Sequence, residues 1–138
     1  MQKTVACVLV LFTGLVGMVL ANQQGEGGDS KWEAPADARS QKNPVPASPE
    51  VSAQAQTLYR NYCHVCHGPT GKGDGPGSQL LKIPPADLSS PEKQAELTDG
   101  EIFWKLTVGR DRMPSFEKQL SEEERWAVVH HVRSLKVD

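Results

Sequence analysis

The chain has 138 residues, which is enough for one domain of ordinary size with short appendages and leaves no room for a second catalytic domain. Its formal net charge is −2, with 15 basic and 17 acidic side chains. There is no basic excess to suggest nucleic acid as a ligand, and the charge balance by itself identifies no partner.

The first 21 residues differ sharply from the rest of the chain. Lys3 precedes an uninterrupted run of apolar or small residues over 5–21, and the chain turns polar at Asn22. This pattern is typical of a secretory signal peptide with a small-residue cleavage site at 19–21, and it predicts export to the periplasm. The run also approaches the length of a membrane span, so the alternative is an uncleaved anchor.

Residues 22–48 are rich in Gly, Ala, Pro, Ser and Gln and show no apolar periodicity. We expect a linker here that buries no core, with Pro44-Val45-Pro46 held extended. Trp32 is the exception, as either a docking anchor or a side chain that folds back onto the domain. The predicted organisation is a signal peptide at 1–21, a linker at 22–48 and a folded domain at 49–138.

The first helix of the domain is predicted to start at Pro49. Ser48-Pro49-Glu50 supplies an N-cap, a proline at the first helical position and an acid in the first turn. Apolar residues then recur at helical spacing as far as Tyr62.

This helix leads directly into Cys63-His64-Val65-Cys66-His67, which has the C-x-x-C-H form of covalent c-type haem attachment. In such a motif the thiols of Cys63 and Cys66 form thioethers to the porphyrin, and His67 ligates the iron. Residues 68–92 are dense in Gly and Pro, which predicts irregular chain with one helical turn near 78–81. A haem would supply the core that so long a loop could wrap.

Two further helices are predicted from their caps. Thr98-Asp99-Gly100-Glu101 opens a helix over 99–108 that ends before Gly109, and Ser121-Glu122-Glu123-Glu124 opens one that runs to 136. In the last helix, the side chains expected to face the core are those of Val128, Val129, Val132 and Leu135. No segment shows strand alternation, so the predicted fold is all-α.

Met113 lies between those two helices, followed by Pro114 in a segment that starts at Gly109. The proline lacks an amide hydrogen and fixes its own backbone, which favours an extended loop. A lone methionine is usually core filler. After a haem motif, next to proline, we interpret it as the sixth iron ligand, because a thioether favours ferrous iron.

These segments, taken in order, resemble a class I cytochrome c, specifically a small bacterial monohaem one, over residues 50–136. The resemblance rests on the following motifs: Leu58-Tyr59, Cys63 to His67, Gly71 to Pro76, Pro84 to Leu88, Gly100 to Lys105, Gly109 to Phe116 and Leu120 to Trp126. It implies an all-α fold whose first and last helices cross near a right angle beside a covalently bound haem.

The resemblance also implies roles for individual residues. His67 would be the proximal ligand and Met113 the distal one, and a carbonyl of Pro84 or Pro85 would accept a hydrogen bond from the proximal imidazole. The family commonly places a glycine against an aromatic residue where the helices cross, whereas this chain has Ala55 and His131.

The same residues allow other site chemistries. A zinc site built from Cys63, His64, Cys66 and His67 would lack a second spaced pair of ligands. Bis-histidine iron through His130 or His131 is the alternative to Met113. A thioredoxin-like redox pair would need strands.

Several basic residues lie close to Met113 in the sequence, namely Lys105, Arg110, Arg112 and Lys118. They predict either a positive rim that attracts an acidic redox partner or a surface that is merely solvated.

The sequence therefore predicts an exported, non-enzymatic electron carrier with one covalent haem c and its iron. Its expected partners are redox proteins, including membrane respiratory complexes, with no nucleic acid and no small-molecule substrate. Contact with the membrane is expected only if the N-terminal segment is retained. The rival hypotheses are a tethered cytochrome subunit of a larger dehydrogenase or oxidase, and a haem enzyme or gas sensor with an open iron position.

Overall fold

A computed structural model describes residues 32–137, and the predicted signal peptide and residues 22–31 lie outside this range. The described chain contains α1 Ala36–Ser40, α2 Pro49–Tyr62, α3 His64–His67, a 3-10 turn Ser78–Leu80, α4 Pro91–Glu96, α5 Asp99–Val108 and α6 Glu122–Ser134. Within it the only β-type pairing is an isolated bridge between Arg110 and Met113. The prediction of an all-α fold is confirmed.

Side-chain caps begin the longer helices as predicted. The hydroxyl groups of Ser48, Thr98 and Ser121 accept hydrogen bonds from the backbone N–H groups of Val51, Glu101 and Glu124. Each cap satisfies one of the N–H groups that a helix start leaves without a partner. The last helix ends at Ser134, slightly earlier than predicted.

The core lies between α2, α5, α6 and the segment before α6. Helices α2 and α6 share the most extensive interface, where Ala55 and Val129 are fully buried. The ring of Tyr59 lies 4.5 Å from that of His131, measured between centroids. His131 therefore does lie at the contact between α2 and α6, and its aromatic neighbour there is Tyr59. The apolar core consists of Ile102, Leu106, Phe116, Leu120, Trp126, Val128, Val129 and Val132.

The expectation that the linker buries nothing was wrong for residues 32–48, because the compact unit begins at Trp32. Ala34 and Ala38 are each 5% exposed, and α1 packs on α5. A Cβ atom at Gly100 would collide with the carbonyl oxygen of Ala38 and lie 3.0 Å from that of Gln41. In this contact, alanine side chains and backbone atoms of the N-terminal segment pack against a glycine of α5. No periodic pattern of large apolar residues therefore marks the contact in the sequence.

The rest of this N-terminal segment, residues 32–48, also lies on the domain. The side-chain amide of Asn43 donates to the carbonyl of Trp126 at 3.0 Å, and the Nε2 of His130 lies 2.7 Å from the carbonyl of Val45. The ring centroids of Trp32 and Trp104 are 6.4 Å apart. Of the two alternatives for Trp32, the structure has the one in which the side chain folds back onto the domain.

Candidate functional site

The haem motif forms its own short helix at the end of α2. Cys63 is the C-cap of α2 and the N-cap of α3, and its N–H donates to the carbonyl of Tyr59 at 2.8 Å. The His67 N–H donates back to the carbonyl of Cys63 at 2.9 Å. This tight turn places both thiols and the imidazole of His67 on one short stretch of helix.

The two thiols are free and half-buried rather than joined as a disulfide. Cys63 packs against the apolar core. Burial raises the pKa of Cys63 to about 12, and the nearby Cys66 adds to the shift. A redox-active thiol needs a lowered pKa, so Cys63 lacks the environment of a redox-active thiol. A neutral thiol against apolar surface is compatible with a thioether to an apolar ring system.

The imidazole of His67 is held with one buried nitrogen free. Its Nδ1 is buried and has no hydrogen-bond partner among residues 32–137. Burial lowers the pKa of His67, and the nearby backbone of Ala86 opposes that shift in part. The ring is therefore kept neutral, which is the form that binds a metal. A buried, neutral imidazole beside two free thiols fits covalent haem c.

The resemblance implied that the imidazole meets a carbonyl of Pro84 or Pro85, and this hydrogen bond stays a prediction. The backbone next to the ring belongs to Ala86. The carbonyl oxygen of Pro85 faces Gly73, where any Cβ atom would collide with it.

The glycine-rich segment after the motif wraps α3 by backbone hydrogen bonds. The N–H groups of Gly73, Gly75 and Gly77 donate to the carbonyls of His67, Cys66 and Val65 at 2.9, 3.1 and 2.7 Å. At Gly75 a Cβ atom would lie 2.5 Å from the carbonyl oxygens of His64 and Val65. Gly75 is thus required by the close approach of the loop to the haem motif.

The loop that carries Met113 is anchored on the end of α5. Gly109 has φ 63°, and a Cβ atom there would lie 2.5 Å from the carbonyl carbon of Pro114 and 2.6 Å from the carbonyl oxygen of Met113. The backbone of Met113 exchanges hydrogen bonds with that of Arg110 at 2.8 and 2.9 Å. The N–H of Phe116 donates to the carbonyl of Leu106 at 2.9 Å. These contacts fold the loop back on α5.

Met113 and the haem motif meet at the same core. Both Met113 and Cys63 are partly buried and pack against the apolar core, although they lie 50 residues apart in the sequence. The structure therefore brings the candidate sixth ligand to the core on which the attachment site rests.

The cations expected to form a positive rim differ in their environments. Lys105 pairs with the buried carboxylate of Glu101 at 3.0 Å, and Arg110 pairs with Asp111 at 3.3 Å. Arg112 and Lys118 are exposed. A rim would therefore depend mainly on these two.

The described residues contain neither a cluster of metal-binding side chains nor a membrane-spanning helix. Across residues 32–137, no group of three or more His, Cys, Asp or Glu side chains is placed to hold a metal ion, so the zinc alternative gains no support. In the same part of the chain no helix has the length and apolar character needed to cross a bilayer.

Residue-level roles that the sequence did not reveal are visible in the structure. The hydroxyl of the buried Tyr59 donates to the carbonyl of Gly68 at 2.9 Å, and the buried Arg125 donates to the carbonyl of Glu117. The sequence pattern could not reveal these roles. Tyr59 fits the apolar face of its helix whether or not its hydroxyl is bonded, and Arg125 is indistinguishable in the sequence from an exposed arginine.

Comparison with known proteins agrees with this site. The family described as "Cytochrome C oxidase, cbb3-type, subunit III" matches residues 50–132. No curated protein matches the sequence.

Two solved structures resemble the chain. One, the "KustC0563 c-type cytochrome", has a TM-score of 0.54 and 30% identity, with 60% of this chain and 98% of that chain covered. The other, from the "Kuenenia stuttgartiensis reducing HAO-like protein complex Kustc0457/Kustc0458", has a TM-score of 0.58 and 26% identity; 70% of this chain and half of that one (50%) are covered. The chain belongs to the cytochrome c family of cbb3-type oxidase subunit III and carries a c-type cytochrome domain, which is an electron-transfer module.

Proposed function

We propose that this protein is an exported electron carrier that binds one haem c and exchanges single electrons with redox proteins in the periplasm. One observation carries the proposal most directly: Met113 and the Cys63 end of the attachment motif pack on the same core. A carrier needs both axial positions filled, since an open iron position favours ligand binding instead.

Each side chain has a separate part in this proposal. Cys63 and Cys66 would hold the group by thioethers, and His67 would supply a neutral imidazole to its iron. Met113 would supply a soft thioether, which favours the ferrous state and raises the reduction potential. When bound, haem c supplies the iron that changes by one electron. The chain itself tunes that change and presents a surface to partners.

A second candidate is a cytochrome subunit of a larger oxidoreductase. Two observations favour it: the matching family is described as an oxidase subunit, and one similar structure is part of a multi-subunit complex. The two candidates differ in what precedes Trp32. A cleaved signal peptide would release a carrier, and a retained anchor would hold a subunit at the membrane.

Haem attachment is tested by intact-mass measurement of the exported protein. We expect one covalently bound haem that survives acid-organic extraction, because thioethers do not dissociate. Loss of the haem to the organic phase would contradict the proposal. The N-terminal residue of the same sample, near Asn22 or at Met1, distinguishes carrier from anchored subunit.

The ligand role of Met113 is tested by spectroscopy. The ferric protein should show a weak near-infrared sulfur-to-iron charge-transfer band, and Met113→Ala should abolish it and lower the reduction potential. Arg112→Ala is the matched control, because Arg112 is exposed in the same loop. If the wild type binds carbon monoxide readily and Met113→Ala leaves the spectrum unchanged, a ligand-binding or catalytic haem replaces the carrier.

A further inference from the structure

A buried guanidinium lies against the segment that joins the Met113 loop to α6. Arg125 is 7% exposed, and its Nη1 donates to the carbonyls of Glu117 at 3.1 Å and Leu120 at 2.7 Å. Its guanidinium carbon lies 5.2 Å from the ring centroid of Phe103. Two carbonyls and an aromatic face therefore fix the group between α5, α6 and the segment that joins them.

No carboxylate neutralises this group among residues 32–137. The ion pairs of that part of the chain use other cations, which are Arg39, Lys93, Lys105, Arg110 and Arg133. The Nε of Arg125 is buried and has no hydrogen-bond partner there. A guanidinium stays protonated in proteins, and buried charges are ordinarily paired. The described chain thus keeps a positive charge in its interior with no carboxylate side chain beside it.

The charge lies over an aromatic side chain that packs on the same apolar core as Met113 and Cys63. Phe103, on which the guanidinium rests, is stacked on Trp126 with ring centroids 4.0 Å apart. Phe103, Met113 and Cys63 all pack against the apolar core. The two carbonyls that Arg125 binds belong to the chain that follows Met113. The guanidinium is therefore connected, through Phe103, to the apolar, low-dielectric core on which Met113 and Cys63 pack.

We propose that Arg125 tunes the reduction potential of the site, a role that rests on the proposed function. Ferric iron carries one more positive charge than ferrous iron, so a buried cation nearby destabilises the ferric form and raises the potential. Because the charge is buried, dissolved salt screens it far less than a surface charge. The effect has the same direction as that of the Met113 thioether.

The experiment compares variants that separate charge from hydrogen bonding in the holoprotein. Arg125→Gln keeps a donor for the two carbonyls and removes the charge, whereas Arg125→Lys keeps the charge. We expect a downward shift of the potential in Arg125→Gln, unchanged by raising the salt concentration, and little shift in Arg125→Lys. Lys118→Met is the control, because it removes an exposed charge from the same segment, and any shift there should vanish at high salt.

Equal potentials in the glutamine and lysine variants would overturn the proposal. If Arg125→Gln does not accumulate, Arg125→His replaces it. The histidine side chain can be protonated or neutral depending on pH, so a single variant protein can be measured with and without the charge. Its potential should then fall more steeply with rising pH than that of the wild type, and equal slopes would contradict the proposal. An independent measurement is nitrogen NMR of the arginine Nε–H groups, where a buried Arg125 should exchange slowly with water and rapid exchange would contradict its burial.

These outcomes are separable from failure of the proposed function. That function fails if the wild type lacks covalent haem or the near-infrared band. The role of Arg125 fails if both are intact in wild type and variants and the potential does not depend on the charge at this position.

Discussion

Tyr59 secures both ends of the haem attachment motif. Its carbonyl accepts a hydrogen bond from the N–H of Cys63 at 2.8 Å, and its hydroxyl donates to the carbonyl of Gly68 at 2.9 Å. Gly68 follows His67 directly and has φ 75°, a conformation that glycine adopts without strain. One buried side chain thus ties the residue after the proposed ligand to the helix that precedes the motif.

We predict that Tyr59→Phe destabilises the holoprotein by about 0.5–1.5 kcal/mol, the usual net value of an internal hydrogen bond. The ring stays, so the contact with His131 is kept and only the tie to Gly68 is lost. The free energy of unfolding in urea measures the effect. Tyr62→Phe is the control, because Tyr62 is 40% exposed on the same helix. An equal loss in both variants would show that the hydrogen bond to Gly68 has no particular role.

The sequence predicted the elements that carry strong local signals. The caps at Ser48, Thr98 and Ser121 gave the starts of α2, α5 and α6. Helix α4 was missed although Ser90-Pro91-Glu92 repeats the pattern of Ser48-Pro49-Glu50, and the Ser90 hydroxyl does cap it. The signal was present there, within a segment whose density of glycine and proline indicated irregular chain.

Other features have no local signal. The N-terminal segment 32–48 is held by small residues and by backbone contacts to α5 and α6, which depend on residues far along the chain. The backbone of Ala86 lies next to His67, and the carbonyl of Pro85 lies next to Gly73. Such pairings are set by tertiary structure, so the periodicity of one segment could not reveal them.

Replacing Gly100 by alanine is predicted to destabilise the domain, although glycine-to-alanine changes inside helices usually stabilise. Glycine to alanine in a helix normally stabilises by about 0.5–1 kcal/mol. Here the new methyl group would collide with the carbonyl of Ala38, so we expect Gly100→Ala to destabilise the domain by about 1–3 kcal/mol, as overpacking does. Urea unfolding measures this. In a chain that begins at Ser48 the same substitution should be neutral or stabilising, and an unchanged loss there would contradict contact with the N-terminal segment.

His131 predicts a dependence of stability on pH. Burial holds the pKa of His131 below its ordinary value of 6.5. The unfolded chain therefore binds a proton more readily than the folded one, so stability is full above about pH 6.5 and falls as the pH drops toward the lower folded pKa. We expect the urea midpoint of the wild type to fall between pH 7.5 and pH 5 by more than that of His131→Phe. Parallel midpoints in the two proteins would rule out this contribution.

Gly109 tests whether the loop geometry, rather than the presence of a methionine, fills the proposed sixth position. Its φ of 63° and the closeness of Met113 and Pro114 leave no space for a side chain. We expect Gly109→Ala to weaken or abolish the near-infrared sulfur-to-iron band and to allow carbon monoxide to bind, although Met113 is still present. Ser115→Ala is the matched control, because it removes only the hydroxyl that donates to the carbonyl of Thr107 at 2.6 Å. The control should keep the band, and a Gly109→Ala protein that also keeps it at full strength would show that Met113 reaches its position without this turn.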